Sequence, residues 1–278
     1  MIRDITIGQY YPAGSPIHKL DPRVKLFATL IYIIALFCYK GIAGLAFIVL
    51  CLAAVIKISK VPFKFMVKGL KTIIVLLVIT ASFNLFFTRG DNALVDYGII
   101  HISDTGITNA LTMIVRLVLL IIGTSLMTLT TTPNQLTDGL EKSMGPLNKI
   151  HVPVHAISMM MSIALRFIPI LIEETDKIMK AQMARGADFE NGNILKRAKN
   201  MVPLLVPLFV SAFRRADDLA MAMEARCYNG GEGRTKMKPL KYEKDDRLAY
   251  IMLFVFLIIV IAFRVFLPFN ISSFIFAK

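Results

Sequence analysis

The chain has 278 residues, 56% of them hydrophobic, and carries a net charge of +13 from 32 basic and 19 acidic residues. Its mean hydropathy of +0.64 and several apolar stretches of roughly 18 residues or more exclude a soluble globular class. The basic surplus admits nucleic acid, anionic lipid or membrane topology as its cause, and the placement of the charges decides among them.

No secretory leader is expected at Met1-Ile2-Arg3-Asp4, since no apolar run follows until Val24, and no lipidation motif is read at Ile275-Phe276-Ala277-Lys278. Apolar runs cover Val24 to Tyr39 and, after Lys40, Gly41 to Ile56. Each is about 16 residues, roughly 24 Å of helix against a hydrocarbon core of about 30 Å. A tight hairpin turning at Lys40-Gly41 is predicted, crossing fully or re-entering, with both ends on one side. Gly41, Ala43, Gly44, Ala46, Ala53 and Ala54 are expected to let its helices approach closely. Ile73 to Phe87 reads as a third span, Ile107 to Leu129 as a fourth, and Ala249 to Leu267, stopped by Pro268, as a fifth. The fold class is therefore all-α, an integral membrane helical bundle of about five spans. Its expected parts are N-terminal spans over 1–129, a cytoplasmic domain over 130–248 that is too mixed to span, and a last span with an external tail over 249–278.

Basic residues fix the orientation. Arg3, Lys19, Arg23 and Lys25 precede or open the first span, and Lys57, Lys60, Lys64, Lys68 and Lys71 crowd the link from second to third. The link from third to fourth has Arg89 against Asp91, Asp96 and Asp104. The positive-inside rule then places the N-terminus and the 130–248 block in the cytoplasm, and the Asp-containing loop and the C-terminus outside. Topology accounts for much of the +13, so the expected partner is the bilayer and no nucleic acid. Cys38, Cys51 and Cys227 lack metal-like spacing and read as small hydrophobes.

Two segments of the cytoplasmic block are amphipathic. Ile168, Leu171, Ile172, Ile178, Met179 and Met183 recur at helical spacing opposite Glu173, Lys177 and Lys180, and Gly186 is a natural left-handed stop. The second segment runs from about Ile194 to Tyr228, with Pro203 and Pro207 kinking or dividing it. Its stripe comprises Leu205, Leu208, Phe209, Ala212, Ala216, Leu219, Ala220 and Met223, which something must cover. Displaced by 41 positions, the segments match at four of eleven residues: Asp176 with Asp217, Ala181 with Ala222, Ala184 with Ala225, Arg185 with Arg226.

Ala184-Arg185-Gly186 and Ala225-Arg226-Cys227 thus close two similar helices. A cation there complements the helix dipole by about 0.3–1 kcal/mol, which would suffice for a single arginine. Its recurrence in the same Ala-Arg context favours a contact with a partner, since guanidinium makes bidentate bonds to carboxylates. Arg116, the only charge within the fourth span, has either a functional or a packing role, while Arg264 snorkels. None of the five spans contains Asp or Glu, which weighs against an ion-driven carrier. His151 and His155 are separated by Pro153 and lack a third ligand, so polar contacts are expected rather than metal. With no phosphate loop and no hydrolase motif, no catalytic residue, cofactor or metal is expected on this chain.

The run Gly8-Gln9-Tyr10 through Ser15-Pro16-Ile17-His18-Lys19-Leu20-Asp21-Pro22-Arg23 resembles the opening of the transmembrane T component of energy-coupling factor transporters, a family that includes the cobalt-transport permeases. Thr130-Thr131-Thr132-Pro133, Arg166-Phe167-Ile168-Pro169, Ala181-Gln182-Met183-Ala184-Arg185-Gly186 and Ala222-Met223-Glu224-Ala225-Arg226 extend the likeness over nearly the whole chain. The resemblance implies an L-shaped helical protein of the bacterial cell membrane whose coupling helices cross near their tips. Each arginine motif would dock in a groove of one of two ATP-binding-cassette ATPase subunits, which hold ATP and Mg. The membrane part would hold a separate substrate-binding S component of a vitamin or metal-ion importer. Cys227 departs from the family's common glycine. Met159, Met160, Met161, Met179, Met183, Met221 and Met223 would serve either as an adaptable sliding surface or as ordinary packing. The rival readings are a self-sufficient channel or carrier, and a membrane enzyme built on Arg116, Asn84 or the histidines.

Overall fold

The computed structural model describes residues 10–38, 42–87, 93–97, 100–189, 193–230, 237 and 239–266. Its helices are α1 (Pro16–Lys19), α2 (Pro22–Cys38), α3 (Ile42–Ser59), α4 (Phe63–Phe87), α5 (Asp104–Thr130), α6 (Pro133–Ser143), α7 (Val154–Ala184), α8 (Ile194–Glu224) and α9 (Lys244–Phe266). A 3-10 turn, Gly145–Ile150, follows α6, and strands β1 (Ala93–Tyr97) and β2 (Ile100–Ser103) precede α5. The described residues fall into two compact units, one up to Gly139 together with Leu240 onward, the other from Leu140 to Pro239.

In the first unit α5 packs along α4, and α2 lies against α5 and α9. Leu36, Ile48, Met66, Leu119, Ile122, Leu126 and Val260 form its core, and Phe47 stacks on Phe256 with ring centroids 5.9 Å apart. The Tyr32 ring covers Gly123, where a Cβ would overlap it, and its hydroxyl donates to Leu119 O at 2.8 Å. A glycine in α5 therefore lets the α2 aromatic close on the helix backbone.

α2 and α3 fall where the two helices of the first hairpin are predicted, and its turn, Lys40-Gly41, lies outside the described residues. Among the described residues α2 and α3 are not a closely packed pair, and α3 instead contacts α1, α5 and α9. Ala46, Ala53 and Ala54 are exposed while Leu45, Ile48 and Leu52 are buried. The larger side chains take the inner face, where they fill the interior to native density.

α5 and α9 are long and apolar enough to cross a membrane. The third span begins ten residues ahead of the predicted Ile73, and α4 qualifies as one bent span, turning by 62° between Phe63–Lys71 and Ile73–Phe86. At 17 and 18 residues, α2 and α3 are shorter than the roughly 20 that carry a straight helix across. The antiparallel pair β1–β2, with Val95 opposite Ile102 and Tyr97 opposite Ile100, is a minor exception in an all-α membrane protein. Its alternation of β-branched and polar residues is a strand signal.

In the second unit α7 packs against α8. α7 runs further than the predicted segment, whereas α8 starts at the predicted Ile194 and ends at Glu224, four residues before the predicted Tyr228. α7 starts at Val154, contains Pro169, and with a mean hydropathy of 1.7 meets the length and composition test for a span, contrary to the expectation for this block. The apolar stretch before Glu173 accounts for this. α8 continues through Pro203 and Pro207 without division. Spaced four apart and both exposed, the prolines concentrate their lost hydrogen bonds on one outer face, which a helix accommodates by bending.

Candidate functional site

The two arginine-bearing helix ends have one geometry. At the first, Arg185 N–H donates to Gln182 O (3.0 Å), Gly186 N–H to Met183 O (2.9 Å) and Ala187 N–H to Gln182 O (3.0 Å). At the second, Arg226 N–H donates to Met223 O (3.1 Å), Cys227 N–H to Glu224 O (2.8 Å) and Tyr228 N–H to Met223 O (3.0 Å). These are two Schellman closures, each bond displaced by the 41 positions of the sequence match. Gly186 has φ 88° and Cys227 φ 55°, so the cysteine adopts the left-handed conformation that the glycine adopts. Ala184, Arg185, Gly186, Ala225, Arg226 and Cys227 are all exposed. The arrangement presents each guanidinium on a closed, stiff helix end.

Part of the packing follows the same displacement. Ile163, Phe167, Ile170, Leu171, Glu174, Ile178 and Gln182 of α7 are partly buried, and Leu204, Leu208, Ser211, Ala212, Arg215, Leu219 and Met223 at the equivalent positions of α8 are buried or partly buried. By contrast, Ile172, Thr175 and Met179 are partly buried while their equivalents Phe213, Ala216 and Ala220 are exposed. The predicted stripe is thus only partly covered by the other helix, and Leu205 and Phe209 remain exposed. Between the helices, the Glu174 carboxylate accepts from Ser211 Oγ (2.6 Å) and from Arg215 Nη2 (2.7 Å). A cleft of about 570 Å³ lies between Met159, Ser162, Ile163 and Arg166 of α7 and Leu219, Met223 and Arg226–Gly230 at the end of α8. The two helices therefore run antiparallel, with Arg226 beside the first half of α7.

A buried polar junction in the first unit has no counterpart among the predicted sites. His18 Nε2 lies 2.9 Å from Tyr11 O, which can only accept, so Nε2 carries the proton and Nδ1 accepts from Ser15 Oγ at 2.7 Å. Burial pushes the imidazole below its ordinary pKa, more than its bond to Tyr11 raises it. Lys25 Nζ donates to His18 O (3.0 Å) and to Thr130 O at the end of α5 (2.9 Å). Asp246 accepts from Asp21 N–H (2.8 Å) and, at the start of α9, from Glu243 N–H (2.8 Å). Arg23 forks onto the Asp21 carboxylate at 3.0 and 2.8 Å and lies 3.8 Å over the Tyr242 ring. Burial raises the Asp21 pKa, but the bonds from Arg23 outweigh it and hold the carboxyl below its usual range. The run from Ser15 to Lys25 thereby ties together the ends of α2, α5 and α9. Its signal in the sequence is a cluster of charges and a histidine directly ahead of an apolar helix.

Arg116 sits on α5 with its guanidinium 5.7 Å from the Phe37 ring centroid, a cation–π contact. His155 Nδ1 is 3.2 Å from Glu141 Oε1, and Ser158 Oγ donates to the other oxygen at 2.8 Å. After α5, Thr132 and Gln135 form a reciprocal capping box at α6 (3.2 and 3.3 Å), with Pro133 at its first turn.

Long apolar helices, together with a second unit of amphipathic helices, define a multi-pass membrane protein. Residues 13–237 match the model of the family CbiQ, cobalt transport protein, and the chain belongs to that family. It is 56% identical to an energy-coupling factor transporter transmembrane protein EcfT of Clostridium kluyveri over 95% of this chain and 98% of the other. The protein of the same name in Thermosediminibacter oceani is 51% identical over 90% and 94%, and that of Bacillus subtilis 45% over 92% and 96%. The chain is accordingly a transmembrane component of the energy-coupling factor type.

Proposed function

We propose that this component transmits motion from two ATP-binding-cassette ATPase subunits, which hold ATP and Mg, to a separate substrate-binding membrane subunit of a vitamin or metal-ion importer. The chain catalyses nothing itself. Arg185 and Arg226, each framed by its neighbours Ala184 and Gly186 or Ala225 and Cys227, are the contacts to the ATPases, and the unit from Leu140 to Pro239 with its two long helices is cytoplasmic. The observation that carries the reading is the pair of exposed guanidiniums on identically closed helix ends. A device that passes force needs stiff rods anchored at specific points, and arginine supplies a bidentate, permanently charged anchor.

The test is co-purification from native membranes. Reversing one partner of a desolvated charge pair costs about 2–5 kcal/mol, a loss of tenfold or more in affinity. Arg185→Glu with Arg226→Glu should abolish retention of the ATPases and solute uptake while leaving membrane insertion intact. Normal recovery of both ATPases with the double variant would refute the proposal.

A further inference from the structure

Glu174 and Arg215 are themselves equivalent positions under the 41-residue displacement, and they meet each other across the helix pair. At one end of the helix pair Met159 and Asn229 line the same cleft; at the other their equivalents, Asn200 and Asp188, are joined by a hydrogen bond from Asn200 Nδ2 to Asp188 O at 2.6 Å. Exchange of equivalent residues across an interface is what a two-fold axis produces. Arg185 lies eleven residues beyond Glu174, and Arg226 eleven beyond Arg215, so each guanidinium stands about 16 Å of helix from the meeting point.

We propose that Glu174, held by Ser211 and Arg215, is a positioning clasp on a local two-fold axis that sets the separation of the two arginine ends. The inference rests on the coupling function proposed above. The packed face around the clasp is built of Ile170, Leu171, Ala212 and Leu219, apolar side chains whose attraction has no direction and does not by itself fix a register. A carboxylate that must meet both a hydroxyl and a guanidinium admits one register. Sliding by a turn would move each end by about 5.4 Å, and two anchors joined by a rigid body bind together only when their span matches the sites.

The clasp is tested first on the chain alone, with spin labels at Lys180→Cys and Met221→Cys after replacement of the native cysteines. The parent gives one narrow distance. Glu174→Arg and Arg215→Glu, which set like charges face to face, each shift or broaden it by about 5 Å, and the double exchange Glu174→Arg with Arg215→Glu restores it. Glu174→Gln, a milder change that preserves the fold, broadens the distribution without moving its mean. In the assembled transporter each charge reversal lowers retention of the ATPases about tenfold through lost bivalency, and the exchange recovers it. Unchanged distances in the single variants, no recovery in the exchange, or shifted distances with undiminished retention would each overturn the clasp. Distances that respond as stated, with ATPases still held after reversal of Arg185 and Arg226, would instead sink only the docking role on which it rests.

Discussion

Cys227 adopts a conformation in which its Cβ crowds the following carbonyl, at a cost of about 1–2 kcal/mol, whereas Gly186 at the matching end bears no such cost. Cys227→Gly should therefore raise stability by about 1 kcal/mol, and Gly186→Ala should lower it by a similar amount, in thermal melts of detergent-solubilised protein. The stop at Gly186 was legible in the sequence, because glycine after an apolar-periodic segment marks a helix end. The left-handed Cys227 was legible only through its alignment with Gly186, since a side chain rarely takes that region unprompted. The charge cluster around Ser15, His18, Asp21 and Lys25 was visible, but not the bonds of Lys25 to Thr130 and of Asp21 to Asp246. These partners lie more than a hundred residues away, and no local pattern encodes such pairings.

At the scale of elements, periodicity located the amphipathic faces of α7 and α8 but not the length of α7, because apolar residues upstream of Glu173 suit a span and an amphipathic helix equally. Composition alone also misassigned the small residues. Ala46, Ala53 and Ala54 of α3 point outward, while the close approach falls at Gly123 of α5, under the Tyr32 ring. A methyl group there must displace an aromatic ring already fixed by its bond to Leu119 O. Gly123→Ala should cost about 1–3 kcal/mol in denaturant titration of the detergent-solubilised protein, the range for overpacking. Pairing it with Tyr32→Leu should recover part of the loss, because the smaller side chain vacates the space.

For the whole molecule the open question is which helices cross, and α7 decides it. By length and composition it qualifies, and if it crossed, Arg185 would lie on the opposite face of the membrane from Lys149. The flanking charges oppose that: Lys142 and Lys149 precede the helix and Arg185, Lys196, Arg197 and Lys199 follow it. Under the positive-inside rule, basic residues on both sides favour one cytoplasmic face for both ends. Its apolar stretch also carries Arg166, and a charge at the centre of a bilayer costs about 2.5–3.5 kcal/mol on insertion scales. A helix lying at the cytoplasmic surface incurs none of that. Single cysteines at Lys57, Asp96 and Lys180, in a background without the native three, test the arrangement with a membrane-impermeant maleimide. Asp96→Cys should be labelled in intact cells, and Lys57→Cys and Lys180→Cys only after permeabilisation. Labelling of Lys180→Cys in intact cells would make α7 a true span and place the first arginine end out of reach of any cytoplasmic ATPase.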